Sequence, residues 1–232
     1  MENPDEIENN NNPDNSQKES INLTFKTIIF DNGEKFQGSI ISKNSENGPI
    51  QIKEGFGKFI YKNGSRIEGE FKDDKLNGFG IYYDDKNNAI YKGYWKDNLF
   101  DGIGMYFFLD GSKFEGEFMQ GRKNGLGTII FKDGSKYIGN FKNDLKEGYA
   151  IHYNTKNDKY EGQWSNDLIN GIGTCYYSNG DKYTGQWKNG LRDGYGIYEY
   201  ENGYLNKGYF KNGNYVEEVK NAGSKNNNCF II

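Results

Sequence analysis

Hydrophobic and polar side chains alternate over short stretches of this chain from residue 25 onward. In residues 67–72, Ile67, Gly69 and Phe71 share one face, and the charged residues between them share the other. A period of two residues is typical of a half-buried β-strand. A second such stretch, residues 78–83, follows after about six residues, which predicts a hairpin with a connection of that length.

The same alternation returns with a fixed period. A phrase of the form aromatic–x–Gly–x–aromatic, such as residues 160–164, is followed nine residues later by Gly-x-Gly, as in residues 171–173. The central glycines of the first phrase lie 23 or 24 residues apart: Gly69, Gly93, Gly116, Gly139, Gly162, Gly185 and Gly208. A period of this length indicates a repeat architecture. Because the repeats occupy nearly everything from Phe25 to Tyr215, little room remains for a separate catalytic domain.

Turn signals separate the repeats. Asn-Gly or Asp-Gly recurs between them, and we expect a two-residue turn there in which both residues can adopt φ > 0. These dipeptides are Asn32-Gly33, Asn63-Gly64, Asp110-Gly111, Asp133-Gly134, Asn179-Gly180 and Asn202-Gly203. The junctions near Asn88 and Asn157 lack the glycine and use asparagine, which tolerates the left-handed region next best. An insertion near residues 42–48 is expected to form a long surface loop.

The connection inside each predicted hairpin and the turn between successive hairpins are both too short for a parallel crossover. The predicted fold is therefore all-β, an elongated single-layer antiparallel meander of about eight stacked hairpins with disordered N- and C-terminal tails. The predicted organisation is an acidic, Asn-rich disordered tail over residues 1–20, the repeat array over 21–215 and a flexible tail over 216–232.

Equivalent aromatic residues form columns across such a sheet. The glycines between them leave space for the rings to lie flat against the backbone, so the stacked rings supply the core. A single-layer sheet leaves one face open, and the columns are equally candidates for a groove that binds a partner protein. The candidate partner-binding residues are Tyr91, Trp95, Tyr137, Tyr160, Trp164, Tyr183 and Trp187.

The repeated phrases, Tyr-x-Gly-x-Trp followed by a turn and Gly-x-Gly, resemble the MORN (membrane occupation and recognition nexus) repeat. The resemblance covers about four fifths of the chain and departs from the pattern at Ile40, Ala150 and Asn206. It implies a non-catalytic all-β module. Such modules serve as scaffolds at membranes, in membrane junctions and in cytoskeletal or ciliary assemblies, and some are joined to lipid kinases or methyltransferases.

The composition agrees with a folded, non-enzymatic module. A net charge of −4 argues against nucleic-acid binding, and the aromatic fraction of 16% argues against global disorder. The one candidate nucleophile–base pair, Cys175 and His152, belongs to adjacent repeats. A whole hairpin of about 10 Å would separate the two side chains, against a required reach of about 3 Å. We therefore predict no catalytic residues, no metal site and no cofactor.

The last four residues, Cys229-Phe230-Ile231-Ile232, fit the pattern for prenylation of the cysteine. The apolar Ile232 favours geranylgeranyl over farnesyl. No secretory signal and no apolar run long enough to span a membrane is visible. The sequence thus predicts a scaffold held on the cytosolic face of a membrane, in which the repeats or a bound partner strengthen an anchor that is weak alone.

Alternative functions stay open at this point. The chain could be a structural component of a cytoskeletal or ciliary assembly, or the regulatory partner of a lipid kinase encoded elsewhere. The recurring lysines after the second aromatic could meet anionic phospholipid, although glutamates share their face. These lysines are Lys72, Lys96, Lys142, Lys188 and Lys211. Open sheet ends would also permit end-to-end association, and the oligomeric state is undetermined.

Overall fold

A computed structural model describes residues 22–46 and 48–218, of which residues 217 and 218 are described by their backbone alone. This part of the chain contains no helix and 17 strands. The strands are β1 Thr24–Ile29, β2 Lys35–Ser45, β3 Gly48–Ile60, β4 Arg66–Lys72, β5 Lys75–Tyr83, β6 Ala89–Lys96, β7 Leu99–Phe107, β8 Lys113–Met119, β9 Arg122–Ile130, β10 Lys136–Lys142, β11 Leu145–Tyr153, β12 Lys159–Ser165, β13 Leu168–Tyr176, β14 Lys182–Lys188, β15 Leu191–Glu199, β16 Leu205–Lys211 and β17 Asn214–Glu218.

Each strand pairs antiparallel with the strand before and after it in the chain, so the sheet is a single open meander. After β1 come eight hairpins, from β2–β3 to β16–β17. This arrangement confirms the predicted fold class. The predicted tail over residues 1–20 lies outside the described residues. Of the flexible tail predicted over residues 216–232, residues 216–218 belong to β17 and the rest lies outside the described residues.

The connection inside each hairpin is shorter than the sequence indicated. Asn143 and Asp144, with φ of 49° and 73°, form a two-residue turn between β10 and β11. Two successive residues with positive φ define a type I′ turn, whose twist matches that of the flanking strands. The predicted six-residue connection was therefore wrong. The other residues of the predicted connection belong to the second strand. A β-bulge at Gly148 (φ 72°) shifts the register of that strand, so the alternation of hydrophobic and polar residues along it is interrupted.

The connections between hairpins also differ from the prediction. Gly64 has a φ of 89°, but Asn63 does not have positive φ. The Gly64 N–H donates to the Tyr61 carbonyl at 3.0 Å, and the Ser65 N–H donates to the Asn63 side chain at 3.0 Å. This is a three-residue loop, a type I turn followed by a left-handed glycine, and not the expected two-residue turn. The predicted asparagine replacement is confirmed, at Asn87 (φ 72°) and at Asn157 (φ 65°).

The insertion in the first repeat does not form a loop. It lengthens β2 and β3, which remain paired as far as Ser45 opposite Gly48. The expected long surface loop at residues 42–48 was wrong, because the inserted residues continue the hydrogen-bonded ladder.

The core lies on one face of the sheet, which we call the inner face. The repeated rings there are between 0% and 8% exposed: Phe36, Phe71, Tyr91, Trp95, Phe114, Phe118, Tyr137, Phe141, Tyr160, Trp164, Tyr183, Trp187 and Phe210. Rings of neighbouring repeats meet edge to face, as in the 5.1 Å between the centroids of Tyr137 and Trp164. Because none of the described residues forms a second layer over the sheet, burial of each ring depends on the rings of the adjacent repeats.

Glycine makes this packing possible. One residue of every strand from β2 to β16 belongs to a line of opposed positions that crosses the sheet: Gly38, Gly57, Gly69, Gly80, Gly93, Gly104, Gly116, Gly127, Gly139, Ala150, Gly162, Gly173, Gly185, Gly196 and Gly208. The Tyr91 ring lies flat over two of them, Gly93 and Gly104, and its hydroxyl donates to the Tyr94 carbonyl at 2.8 Å. The predicted stacking of rings against bare backbone is confirmed.

The other face, which we call the outer face, is exposed to solvent. At the bulges, its polar side chains satisfy backbone donors: Gln163 Oε1 accepts the Ile172 N–H at 2.7 Å, and Glu117 Oε1 accepts the Leu126 N–H at 3.2 Å. In three repeats, the residue after the central glycine thus accepts a backbone N–H at the bulge of the following strand: Glu117, Gln163 and Gln186.

Candidate partner-binding groove

The inner face carries one variable residue in each repeat, above a constant floor of rings. This residue is the second of the long strands from β5 to β15 and stands opposite the second aromatic residue of the repeat, as Lys146 stands opposite Phe141. We call the set the inner-face row: Lys53, Leu76, Phe100, Lys123, Lys146, Ile169 and Arg192. In β3, the equivalent residue is Lys53, opposite Ile40. The row therefore decides the chemistry of this face.

After Lys53, the next two residues of the row are apolar. Leu76 and Phe100 line a cavity of about 550 Å³ together with Tyr82 and Trp95. The cavity exists because Ile67 stands where most repeats have an aromatic ring, and it too lines the space. A cavity of this size accommodates one or two apolar side chains from a ligand.

Further along, the row is cationic. The Lys146 ammonium lies 5.0, 5.2 and 5.1 Å from the ring centroids of Phe131, Tyr137 and Trp164. The Lys123 ammonium lies 5.7 to 5.9 Å from three rings in the same way. These distances allow cation–π attraction, which is stronger where water is partly excluded. Each lysine therefore lies along the aromatic floor with its stem covering the rings.

Lys123 and Lys146 have no carboxylate within ion-pairing distance in the part of the chain that the structure describes, whereas Lys53 pairs with Asp74 at 2.9 Å. Burial lowers the pKa of Lys146; Asp167 opposes that shift, and the charge of Lys123 adds to it. Two neighbouring ammonium groups on a half-buried apolar floor make this stretch a candidate site for an anionic group.

Arg192 continues the cationic stretch after Ile169. Its guanidinium carbon lies 5.6, 5.1 and 5.4 Å from the ring centroids of Tyr183, Tyr198 and Phe210. It lines a second cavity of about 340 Å³, together with Ile169. One N–H of the guanidinium donates to the Gly213 carbonyl, which holds the side chain across the turn of the next hairpin.

His152 and Cys175 also line this second cavity but do not form a catalytic pair. Each stands opposite Tyr160, on β11 and β13, so β12 separates them. Positions two strands apart are about 10 Å from each other. Burial raises the pKa of Cys175 to about 11 and lowers that of His152, so at neutral pH the thiol is protonated and the imidazole is neutral.

The predicted partner-binding rings form the floor of the groove. Tyr91, Tyr137 and Tyr183 are fully buried, and Tyr160, Trp95, Trp164 and Trp187 are between 3% and 8% exposed. Their contact with a partner stays a prediction, and their burial restricts such contact to the ring edges. Sequence reasoning missed the inner-face row, because its residues fell in the supposed six-residue turn. Their constant position two residues before the Gly-x-Gly phrase is the signal that would have revealed them.

The recurring outer-face lysines are exposed and lie among acidic side chains. Lys211, for example, pairs with Asp193 at 3.1 Å, and on the same face Glu68 pairs with Arg66 at 2.7 Å. Within residues 22–46 and 48–218, no group of three or more His, Cys, Asp or Glu side chains is arranged to hold a metal. The same residues include no helix of the length and hydropathy needed to cross a bilayer.

A single sheet of repeated hairpins, whose core is a stack of rings and whose variable residues line one face, defines a β-repeat scaffold. The MORN repeat profile matches seven segments of the chain, residues 52–66, 68–88, 91–113, 114–136, 137–158, 160–182 and 183–203. The chain therefore belongs to the MORN repeat family. No curated protein matches its sequence.

Three solved structures show limited similarity. The TCP domain of SAS-4 (dCPAP) from Drosophila melanogaster, in complex with a proline-rich motif of Ana2, has a TM-score of 0.41 at 13% identity, covering 72% of this chain and 87% of that domain. A streptogramin B lyase has a TM-score of 0.16 at 11% identity, covering 80% of this chain and 68% of the lyase. An inactive virginiamycin B lyase from Staphylococcus aureus, with quinupristin, has a TM-score of 0.15 at 12% identity, covering 84% and 72%. TM-scores this low carry no functional argument.

Proposed function

We propose that this protein is a non-enzymatic scaffold that binds a segment of a partner protein along the inner-face row and positions it at the cytosolic face of a membrane. The observation that carries the proposal is the pair of ammonium groups of Lys123 and Lys146, which have no ion-pair partner among the described residues and lie on an aromatic floor beside the cavity lined by Leu76 and Phe100. A core that served stability alone would place apolar residues there, as it does at Leu76 and Ile169.

The row specifies the chemistry of the bound segment. An apolar side chain would enter the cavity between Leu76 and Phe100, and a carboxylate would approach Lys123 and Lys146. Successive repeats are about 10 Å apart, because each contributes two strands. The partner segment would therefore carry its apolar and acidic residues roughly 10 to 20 Å apart. Charge pairing in this partly desolvated groove gives more specificity than it would on the outer face.

The membrane tether would be an isoprenoid in thioether linkage to Cys229, a residue outside the described range. The terminal four residues support this proposal by their pattern. One lipid chain gives reversible binding, so a second contact is needed for stable attachment. We propose that the partner in the groove supplies it.

A peptide selection tests the groove. A random library of displayed 16-residue peptides would be selected against the protein, and we expect enrichment of sequences that combine Asp or Glu with Leu or Phe. Lys146→Met should weaken the selected peptides about tenfold, or about 1.4 kcal/mol. The matched control is Lys142→Met, in the same hairpin but exposed on the outer face, and it should change nothing. Equal weakening by both variants, or by neither, would contradict a binding role for the groove.

Mass analysis and cell fractionation test the tether. We expect the intact mass of the native protein to include one isoprenoid, and Cys229→Ser to move the protein from the membrane fraction to the soluble fraction. An unmodified C-terminus would refute the tether. Retention of Cys229→Ser in a detergent-insoluble pellet would instead favour a cytoskeletal component. Flotation of the prenylated protein with liposomes, without partner, should be partial; complete, salt-resistant flotation would show that no second contact is needed.

A further inference from the structure

Strand β1 is an open edge of the sheet. Among the residues that the structure describes, it pairs with β2 alone, and the Phe30 N–H donates to the Glu34 carbonyl at 2.9 Å just beyond its end. Hydrogen-bonded pairs alternate along an antiparallel ladder. The residues that bond to β2 are therefore Ile28 and Lys26, which oppose Phe36 and Gly38. It follows that Phe25, Thr27 and Ile29 direct their backbone N–H and C=O groups away from the sheet.

This edge lacks the features that usually prevent strand pairing. Charged residues blunt most natural edges, yet β1 contains a single charge, Lys26. The outward-bonding residues are uncharged, and Phe25 and Ile29 are 73% and 72% exposed on the outer face. The opposite edge, β17, ends in two glutamates. The two ends of the sheet are thus unequal, and β1 is the end suited to accept another strand.

We propose that β1 pairs antiparallel with β1 of a second copy of this chain, about a two-fold axis through Thr27. In this register, each Phe25 faces Ile29 of the other copy on the outer face, and Thr27 faces Thr27. Lys26 stands opposite Ile28, so no like charges meet. The three opposed pairs 25–29, 27–27 and 29–25 exchange backbone hydrogen bonds, because all their members bond outward.

The neighbouring registers of this β1–β1 pairing should be less stable. Outward-bonding residues must oppose one another, which allows only shifts of two residues. One shift places Lys26 opposite Lys26, and like charges directly opposite each other weaken pairing. The other shift places Phe25 and Lys26 opposite residues beyond the end of β1, so that only residues 27–29 of the two strands remain paired. The self-complementary register gives a closed, isologous dimer in which two sheets become one, and it leaves the groove of each copy free.

Sedimentation of the full chain tests the proposal. We expect a concentration-dependent monomer–dimer equilibrium and no larger species. Thr27→Lys and Thr27→Glu should each weaken the dimer about tenfold, because like charges then face each other across the axis. An equimolar mixture of the two variants should restore dimers, because lysine then faces glutamate. The control Thr184→Lys changes an exposed outer-face threonine of an interior strand and should leave the dimer unaffected.

Several results would overturn the proposal. These are a monomer at every concentration, a dimer that Thr27→Lys leaves unchanged, a failure of the mixture to restore dimers, or open-ended oligomers, which would indicate pairing between β1 and β17. Amide hydrogen exchange of the unmodified chain gives a second test that needs no variant. Exchange at Phe25, Thr27 and Ile29 should slow as the protein concentration rises, and exchange independent of concentration would contradict β1 pairing.

Discussion

Replacement of Gly104 by alanine would test how the rings hold the sheet together. A Cβ atom at this position would lie 2.6 Å from two carbons of the Tyr91 ring, closer than side-chain carbons approach in real structures. The ring would have to lift from the backbone. That movement disturbs its edge-to-face contacts with Trp95 and Phe118, at centroid distances of 5.2 and 5.3 Å, and its stacking on Phe100 at 3.9 Å.

The cost follows from these contacts. Overpacking of a filled core costs about 1–3 kcal/mol. Loss of the hydrogen bond from the Tyr91 hydroxyl to the Tyr94 carbonyl adds about 1 kcal/mol. Gly104→Ala should therefore lower the free energy of unfolding by about 2–4 kcal/mol.

The preceding repeat offers a matched control. Gly80 occupies the equivalent position, but Ile67 replaces the ring above it, and a new Cβ would meet the Trp95 indole at 3.1 Å. A shift of a few tenths of an ångström relieves this contact, so Gly80→Ala should cost less than about 1 kcal/mol. In a Tyr91→Ile background, Gly104→Ala should also cost less than about 1 kcal/mol, because the ring that it would displace is absent.

The assay is urea unfolding followed by far-ultraviolet circular dichroism and tryptophan fluorescence. A change in midpoint at constant slope reports stability, whereas a change in slope reports altered cooperativity of the repeats. Equal midpoints for Gly80→Ala and Gly104→Ala would refute the conclusion that rings, and not backbone propensity, make glycine necessary here.

Three further predictions concern acid stability, the buried thiol and the bulges. A hydrogen bond from a neighbouring asparagine side chain is the chief reason why the pKa of Asp158 is lowered in the folded protein. The ionised carboxylate therefore stabilises the fold above the unfolded pKa of about 3.9, and this stabilisation is lost as the pH falls through the folded pKa. The urea concentration at the midpoint of unfolding should therefore fall as the pH is lowered below about 4, and it should fall less steeply with pH in Asp158→Asn than in the unmodified protein. An equally steep fall in both proteins would contradict this. In Cys229→Ser protein at pH 8, a disulfide reagent should leave Cys175 unmodified until urea unfolds the chain, because burial raises its pKa to about 11. Gln163→Ala should cost about 1 kcal/mol by leaving the Ile172 N–H without its acceptor, whereas Gln163→Glu should be nearly neutral, as unfolding midpoints would show.

The strands and the ring columns were predictable because both depend on local spacing. The period of two places Ile67 and Phe71 on one face, and the period of 23 or 24 residues aligns Tyr137 with Tyr160. Both tyrosines are buried as the columns required. A repeat architecture favours such prediction, because each repeat contacts only its neighbours and the same spacing is tested many times in one chain.

The turns were not predictable in the same way, because two turn types compete for the same residues. Asn63-Gly64 has the composition of a two-residue turn but forms a three-residue loop, while Asn143-Asp144 forms the two-residue turn without glycine. The sequence therefore placed Gly148 directly after a turn, although its positive φ marks a bulge inside β11. At the two-residue turn, the Asp144 N–H donates to the Lys123 carbonyl of β9 at 3.0 Å, a contact between strands that sequence spacing alone does not report.

The buried rings and the inner-face row have different roles, and this difference has a functional consequence. A ring such as Tyr137 contacts rings of the next repeat, so its replacement would disturb packing along the sheet. Lys146, directly above it, lies over those rings and has no ion-pair partner among the described residues, so its replacement alters the surface and leaves the stack in place. The rings can therefore remain constant while the row changes between Leu76, Lys146 and Arg192. Binding specificity in this scaffold should reside in that row, one residue per repeat, and the order of apolar and cationic residues along it should determine which partner segment fits.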